Sequence, residues 1–337
     1  MAERYGQFRD RGMSNGVAPF FSVPPEPSGL YLPLHLFLLF FRLPIVIALL
    51  GTYFLILQWL PIGSFGKKAI LWLVVGTPGL WWVDLQMDAI KKGTIGSHSS
   101  VFPQPGSIIA ASFTSPLDVI YLAVIFDPIF TASYPSTKLV QPISLLSALL
   151  RSFSVPRESP ADSSKLTDLS DLVASNNNRY VVVFPEGTTT NGRGILRFTP
   201  SLLGASPRTK IYPTSLRYTP ADITTPIPQS YLTFIWNLLS RPTHSLRVRI
   251  AQAVSMLPAP ERGYTTNLLD TLHDDSASGS DIITSDDDRT ITVEERKLLD
   301  KIGETLARLG RNKRVAFGVK DKIDWWRATQ KYDTERS

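Results

Sequence analysis

The sequence predicts an α/β domain built on a mainly parallel β-sheet that is flanked by helices. From about residue 100 onward, short apolar runs rich in β-branched residues alternate with longer helical patterns, which is typical of a parallel sheet. A second observation is the uncharged run from Leu43 to Pro61. This run is about as long as the ~20-residue helix that crosses a bilayer. The chain is therefore expected to join an α/β domain to an N-terminal membrane anchor.

The secondary-structure elements of the domain are expected in the following places. We expect strands at Ser107–Ala111, Tyr180–Phe184, Lys210–Leu216 and Leu246–Ala251, and helices at Pro116–Phe126 and Leu139–Leu150. Open α/β sheets bind their ligands at the C-terminal ends of the parallel strands. Functional residues are therefore expected directly after these strands.

The chain is expected to divide into five segments. These are a disordered leader (1–29), membrane-anchoring helices (30–92), the α/β domain (93–262), an acidic disordered linker (263–291) and a C-terminal amphipathic helix with a basic tail (292–337). The linker is predicted to be disordered because residues 270–288 hold seven Asp and no Lys or Arg. The basic tail contains Trp325 and Trp326, and it is expected either to lie on a lipid surface or to dock on the domain.

A second uncharged run follows the first. It extends from Ala69 to Val83 and contains Gly76 and Pro78, so it is expected to be kinked, re-entrant or interfacial. The two runs together predict a helical hairpin, although both could instead be core helices of a soluble protein. Lysines lie at positions 67, 68, 91 and 92. Since loops rich in Lys and Arg tend to remain on the cytosolic side of a membrane, they favour a cytosolic location for the domain.

Composition excludes several kinds of chemistry. The chain has no cysteine, which rules out disulfides, a thiol nucleophile and thiolate metal ligands. Its four histidines show no metal-binding spacing, so no metal is expected. The formal net charge of +6 suits anionic partners in general. A nucleic-acid partner does not explain the apolar N-terminal segment, and none is expected.

The most informative segment is an all-apolar strand that runs into the residues FPEGTTTNG, 184–192. It places the carboxylate of Glu186 and the flexible backbone of Gly187 at the end of a strand, followed by Thr188 and other hydroxyls. Exposed N–H groups of this turn, together with Arg193, would form a cradle for an anionic group. The alternative is an ordinary turn whose Pro, Gly and Asn serve the backbone only.

This segment resembles the third sequence block of the PlsC-like glycerolphosphate acyltransferase superfamily. The resemblance extends over residues 105–220, and it implies a glycerolphosphate acyltransferase-like fold. It also implies transfer of an acyl chain from acyl-CoA to a lysophospholipid such as lysophosphatidate, with acyl-CoA as co-substrate and no cofactor. The apolar N-terminal segment and the C-terminal tail are most similar to fungal lysophosphatidic acid acyltransferases. That similarity implies a location at the endoplasmic reticulum membrane and the lipid-droplet surface.

The family's first block, Asn-His-x-Ser-x-x-Asp, is matched only in part. Ser115 and Asp118 occupy its last two defined positions, but Ser112 replaces the asparagine and Phe113 replaces the histidine. Without the resemblance, the same residues predict a helix start, with Ser115 as N-cap, Pro116 at the first helical position and Asp118 reaching back.

The missing histidine leaves the general base open. In the family, that histidine takes the proton of the acceptor hydroxyl and the aspartate orients it, but Phe113 cannot accept a proton. Three accounts are compatible with the sequence. Asp118 acts as the base itself, a distant histidine such as His98 or His244 reaches the site, or the protein binds lipid and acyl-CoA without turnover.

The resemblance also implies a set of site residues. Arg157 lies where the arginine of the second block is expected, and the fourth block is matched loosely at 211–214. The expected catalytic residues are Asp118 and Ser115. The expected substrate-binding residues are Arg157, Glu186, Gly187, Thr188 and Arg193.

Overall fold

The computed structural model describes residues 18–57, 64–88, 102–255 and 292–336. Its strands are β1 (Trp82–Met87), β2 (Ile108–Ala111), β3 (Ile129–Ala132), β4 (Gln141–Ile143), β5 (Val181–Val183), β6 (Gly194–Ile195), β7 (Ile211–Thr219), β8 (Ser245–Ile250) and β9 (Lys313–Arg314). Seven of them form one sheet in the order β1-β8-β7-β2-β5-β3-β4, and β6 pairs with β9. The predicted strands of the α/β domain are all present in the large sheet.

The sheet is mainly parallel, as predicted. Strands β7, β2, β5 and β3 are parallel neighbours, and β1 is parallel to β8. The pairs β7–β8 and β3–β4 are antiparallel. Because β2, β3 and β5 point the same way, the segments that follow them emerge at one edge of the sheet.

Helices cover both faces of the sheet. They are α1 (Leu32–Gly51), α2 (Ser64–Gly76), α3 (Pro116–Phe126), α4 (Leu145–Arg151), α5 (Leu169–Ser175), α6 (Tyr231–Ser240), α7 (Val293–Gly310) and α8 (Val319–Arg336). Buried residues of α2, α3 and α6 pack on one face. Those of α5 and α7 pack on the other. The result is a three-layer arrangement that confirms the predicted fold class.

The first uncharged run begins inside α1, and a π-helical segment extends this helix to Leu57. The segment Gly29–Leu57 is long and apolar enough to cross a membrane, and its most apolar window is not buried in the protein. Arg42 lies within this helix and donates hydrogen bonds to the carbonyl oxygens of Arg241 and Pro242, just after α6. One side of α1 is thus fixed to the domain, while the side chains on its other side are exposed.

The second uncharged run does not form the second arm of a hairpin. Helix α2 ends at Gly76, and after a turn the chain enters the sheet as β1, parallel to β8. Asp84 and Gln86 alternate with apolar residues in this strand, a period-two pattern that favours a strand over a membrane helix. The sheet therefore begins before residue 93, the predicted start of the α/β domain.

The two ends of the described chain are packed together. Phe20 falls in the predicted disordered leader, yet it is fully buried. Its ring lies 5.9 Å from the rings of Phe317 and Trp325. Trp325 is buried as well, so this part of the tail is docked on the domain instead of lying on a lipid surface. The predicted acidic linker, residues 263–291, lies outside the described residues.

Candidate active site

Ser115 and Asp118 form a reciprocal cap at the start of α3, which confirms the local prediction. The Ser115 hydroxyl accepts a hydrogen bond from the backbone N–H of Leu117. In return, Oδ2 of Asp118 accepts hydrogen bonds from the backbone N–H groups of Thr114 (2.6 Å) and Ser115 (2.9 Å). These contacts hold the Asp118 carboxylate at the C-terminal edge of β2.

The other carboxylate oxygen of Asp118 meets a tyrosine from β7. The Tyr218 hydroxyl donates a hydrogen bond of 2.6 Å to Oδ1 of Asp118. Burial raises the pKa of Asp118 to about 6, although its hydrogen bonds act in the opposite direction. A carboxylate with such a pKa is able to exchange a proton near neutral pH.

The side chain of Phe113 offers no polar group to Asp118, and its ring is part of the hydrophobic core. It stacks on Phe184, with ring centroids 4.3 Å apart, and it is almost fully buried. The backbone carbonyl of Phe113 accepts a hydrogen bond from the N–H of Thr190. The end of β2 and the FPEGTTTNG loop are thus joined directly where the family's histidine would stand.

The FPEGTTTNG loop is largely buried, and several of its N–H groups bind acceptors within the protein. The N–H of Gly187 binds the carbonyl of Phe184, and that of Asn191 binds the carbonyl of Pro19. Those of Gly192 and Arg193 bind side chains of the loop itself. The prediction that these N–H groups are exposed and bind an anion is therefore wrong, because each of them donates a hydrogen bond within the protein.

The Glu186 carboxylate lies inside this loop. It is fully buried, and its Oε2 accepts a hydrogen bond of 3.0 Å from the N–H of Leu196. Burial raises the pKa of Glu186 to about 8, and the nearby charge of Asp118 adds to the effect. Glu186 therefore orients the loop from within, and Thr188 beside it is buried as well.

Lys322 is a site residue that the sequence reasoning missed. It comes from α8 and is 1 % exposed. Its Nζ donates hydrogen bonds to the carbonyl oxygen (2.6 Å) and to Oγ1 (3.0 Å) of Thr189. Burial lowers the pKa of Lys322 to about 7, while the charge of Glu186 acts in the opposite direction. The sequence treated Lys322 as part of a basic tail, and a lone lysine in a basic stretch gives no signal of burial.

A second missed residue is Arg151, at the end of α4. It lines a small cavity together with Phe113, Ser133 and Gly187. Its guanidinium donates a hydrogen bond of 2.9 Å to the hydroxyl of Tyr134. The cavity volume is about 20 Å³, which is room for about one water molecule. Any ligand larger than a water molecule therefore needs side chains at this edge to move before it can enter.

The two arginines predicted to bind substrate lie outside this cavity. Arg157 is exposed in the segment after α4, and Arg193 is exposed just before β6. Gly187 is the predicted binding residue that lines the cavity, and its φ of +66° favours glycine. A β-carbon here would approach side-chain atoms of Thr199 and Val319 to 3.1 Å.

His244, one of the two histidines proposed as a distant base, hydrogen-bonds elsewhere in the domain and not to Asp118. His244 is buried at the start of β8, and its Nε2 lies 2.9 Å from the carbonyl oxygen of Leu238 in α6. Burial lowers its pKa to about 4. His98 lies outside the described residues.

Known proteins similar to this chain point to one family. Residues 95–217 match the family model described as acyltransferase. A Schizosaccharomyces pombe protein, provisionally named a lysophosphatidic acid:oleoyl-CoA acyltransferase, is 27 % identical over 98 % of this chain and 99 % of its own length. Lysophosphatidic acid:oleoyl-CoA acyltransferase 1 of Saccharomyces cerevisiae is 26 % identical over 65 % of this chain and 67 % of its own length.

A solved structure is also similar to this one. It is the crystal structure of the 1-acyl-sn-glycerophosphate acyltransferase PlsC from Thermotoga maritima, with 13 % identity and a TM-score of 0.39. The likeness covers 82 % of this chain and 94 % of that one. The family match spans β2, the start of α3 with Asp118, and β5 with the FPEGTTTNG loop that contains Glu186. Over residues 95–217, this chain is therefore similar to the acyltransferase family.

Proposed function

We propose that this protein is an acyl-CoA-dependent O-acyltransferase that acylates a lysophospholipid, with lysophosphatidate as acceptor and phosphatidate as product. The observation that carries the proposal is the end-to-end similarity to the S. pombe protein, which covers 98 % of this chain. Both yeast relatives bear names that state lysophosphatidic acid as acceptor and oleoyl-CoA as donor.

The proposed reaction transfers the acyl group directly from the thioester of acyl-CoA to a hydroxyl of the lysophospholipid, which becomes an oxygen ester. The free hydroxyl of the lysophospholipid attacks the thioester carbonyl carbon of acyl-CoA, and a new C–O bond forms. The C–S bond then breaks, and CoA leaves as its thiolate. The proton of the hydroxyl passes to a general base and finally to the thiolate.

Asp118 is the proposed general base. The raised pKa of its carboxyl, about 6, is closer to neutrality than that of an ordinary aspartate. The carboxylate lies beside Phe113, where the family carries its histidine. Tyr218 and the two N–H groups of the cap fix its orientation, and Ser115 positions it by starting α3. The proton path requires the acceptor hydroxyl to approach Oδ1, which bears a single hydrogen bond from Tyr218.

The head group is proposed to bind at the edge formed by the FPEGTTTNG loop. Arg151 and Gly187 line the small cavity there, and the guanidinium of Arg151 supplies a cation. The exposed Arg157 and Arg193 attract the phosphate, and the buried Glu186 and Thr188 keep the loop in shape. A planar guanidinium binds phosphate with paired hydrogen bonds.

The protein is further proposed to work on a membrane or lipid-droplet surface of the endoplasmic reticulum, facing the cytosol. The support is the apolar side of α1, where Phe37, Phe40 and Phe41 are 64, 71 and 59 % exposed. Large contiguous apolar surfaces on a protein mark sites of interaction with a membrane or another protein. A surface-bound enzyme would meet both of its amphipathic substrates there.

The test is acyl transfer by the purified full-length protein. Because the chain has no cysteine, released CoA can be followed with a thiol reagent without background from the protein. The acceptors to compare are lysophosphatidate, lysophosphatidylcholine, lysophosphatidylinositol and glycerol 3-phosphate, with oleoyl-CoA as donor. We expect the fastest CoA release with lysophosphatidate, with phosphatidate as the lipid product. A preference for another lysolipid would change the acceptor, and no release with any acceptor would refute the enzymatic proposal.

A further inference from the structure

A groove near the β1 edge of the sheet is lined by arginines that the candidate active site does not use. It lies between β1, β8, β7 and the C-terminal end of α7, and its volume is about 360 Å³. The arginines that line it are Arg217, Arg247, Arg249 and Arg311. Ligand pockets in proteins are typically a few hundred Å³ in volume, so the groove has room for a small molecule.

The strand register brings like charges together in this groove. Arg217 of β7 is directly opposite Arg247 of β8, and Arg249 follows two residues later on the same face. Like charges directly opposite each other destabilise a sheet. Among the described residues that line the groove, Asp84 is the one carboxylate, and it contacts Nε of Arg247 at 3.1 Å. Four arginines against one carboxylate leave the groove with an excess of positive charge.

The arginines are held in place before any ligand arrives. The guanidinium of Arg217 donates to the carbonyl of Gly310 at 3.2 Å, and that of Arg249 donates to the carbonyl of Leu309 at 2.8 Å. These carbonyls form the C-terminal end of α7, which attracts cations. A guanidinium carries several N–H donors, so each of these bonds leaves others of the same side chain to face a ligand.

The positive charges of these arginines also repel one another. Burial, followed by the charges of Arg311 and Arg247, lowers the pKa of Arg249. An anion placed between the guanidinium groups would remove this repulsion. Phosphate suits the arrangement best, because guanidinium groups bind its oxygens in pairs.

The position of the groove connects it with the rest of the molecule. Arg217 and Tyr218 are neighbours in β7 and point to opposite faces, and Tyr218 is the residue that binds Asp118. At the rim of the groove, Trp82 is 74 % exposed. Exposed tryptophans are frequent where a protein meets a membrane–water interface. The groove therefore lies on the face of the sheet opposite to Tyr218, with an exposed tryptophan at its rim.

We propose that this groove binds the phosphate groups of a ligand. Two sources carry the required chemistry, namely the phosphorylated nucleotide of CoA and the head group of an anionic phospholipid. The charges and the geometry of the groove are sufficient for such binding. The inference therefore holds whether or not the protein transfers acyl groups.

The test compares two double variants of the full-length protein. Arg247→Gln with Arg311→Gln removes two charges from the groove and leaves the two arginines that hold α7 in place. Arg208→Gln with Arg327→Gln removes two exposed charges elsewhere and serves as the control. The probes are adenosine 3′,5′-bisphosphate in solution, and phosphatidylcholine vesicles with or without phosphatidate.

The two probes distinguish the sources of phosphate. We expect the groove variant to bind one of them at least tenfold more weakly than the control does. Weaker binding of the nucleotide with unchanged vesicle binding assigns the groove to CoA. Weaker binding of phosphatidate vesicles with unchanged nucleotide binding assigns it to a lipid head group. Wild-type affinity of the folded groove variant for both probes would overturn the proposal.

A measurement on the wild-type protein covers the case in which the groove variant does not fold. Arginine-selective labelling with phenylglyoxal, read by peptide mass spectrometry, reports the reactivity of Arg247 and Arg311. Saturating nucleotide or phosphatidate is expected to protect these two residues at least severalfold and to leave Arg208 unprotected. Equal labelling of all three with and without both probes would also overturn the proposal.

Discussion

The Nζ of Lys322 lies 2.6 Å from the carbonyl oxygen of Thr189, with both side chains buried. This contact joins the C-terminal helix to the loop that carries the family's FPEGT residues. On the other side of the loop, the Asn191 amide donates to the carbonyls of Ala18 and Phe21 at 2.7 and 2.9 Å. Segments from both ends of the chain therefore fix the conformation of the FPEGTTTNG loop.

Lys322→Met is expected to reduce acyl transfer at least tenfold. The change leaves the buried Thr189 carbonyl without its donor, which costs on the order of 1–3 kcal/mol. It also alters how stability depends on pH. Since the pKa of Lys322 falls from 10.5 unfolded to about 7 folded, the unfolded state binds more protons between these values. The free energy of unfolding of the wild type should therefore rise with pH from 7 to 10.5.

The measurement for Lys322 is the thermal midpoint between pH 7 and 10, together with the acyl-transfer rate. Lys322→Met should lose the rise that the wild type shows. Lys320→Met removes an exposed lysine from the same helix, and it should keep both the rise and the activity. If the thermal midpoint of Lys322→Met rose with pH as much as that of the wild type, the rise would not come from Lys322, and its pKa would not be lowered by burial.

Glu186 is expected to make the free energy of unfolding fall with rising pH, opposite to the effect of Lys322, and Glu186→Gln should remove this fall. The pKa of Glu186 rises from 4.5 unfolded to about 8 folded, so the folded state binds more protons between these values. Stability due to this group should therefore fall as pH rises from 4.5 to 8. The effect is on the order of a few kcal/mol. Unfolding of Glu186→Gln should be less sensitive to pH in this window than unfolding of the wild type or of the exposed control Glu304→Gln.

Phe20→Ala is expected to destabilise the protein by about 3 kcal/mol, as large-to-small changes of buried aromatic residues do. The ring is fully buried against Phe317 and Trp325. Thermal unfolding and limited proteolysis of the N-terminal segment measure the effect. Phe65→Ala removes a ring that is 85 % exposed, and it should change neither. Equal stability of the two variants would show that residues 18–21 are not part of the folded unit.

Much of the fold was predictable because its signals are local. The apolar strand before Glu186 and the capping residues Ser115 and Asp118 are read within a few positions of the sequence, and the structure has both. Strand β1 was not predicted, because its first residues belong to the second uncharged run. The alternation of Asp84 and Gln86 with apolar residues extends over only a few positions after that run.

The site was less predictable because several of its contacts join distant parts of the chain. Lys322 lies 133 positions from Thr189, and Tyr218 lies 100 positions from Asp118. Arg151 reaches the small cavity from the end of α4. Periodicity and spacing report nothing about such pairs, since only the packing of helices on the sheet brings them together. The predicted roles of Arg157 and Arg193 remain predictions.

Phe37→Ser, Phe40→Ser and Phe41→Ser combined are expected to release the protein from vesicles. Burying one such side chain in an apolar environment contributes about 1.5–3 kcal/mol, so the triple change should weaken vesicle binding by well over tenfold. Flotation with phosphatidylcholine vesicles measures it. Serine at the exposed positions Lys297, Lys301 and Glu304 of α7 is the control. Undiminished flotation of the triple variant would assign membrane binding to another surface.

The central claim is that the Asp118 carboxylate acts as the base of an acyl transfer. Asp118→Asn separates this role from capping, because the amide oxygen can still accept from Thr114 and Ser115 while its nitrogen donates to the Tyr218 oxygen. The decisive measurement is CoA release from oleoyl-CoA with saturating lysophosphatidate, made on wild-type and Asp118→Asn proteins of equal thermal midpoint. The claim predicts measurable turnover by the wild type and a loss of about a hundredfold to ten-thousandfold in the variant. Wild-type turnover by Asp118→Asn would contradict it.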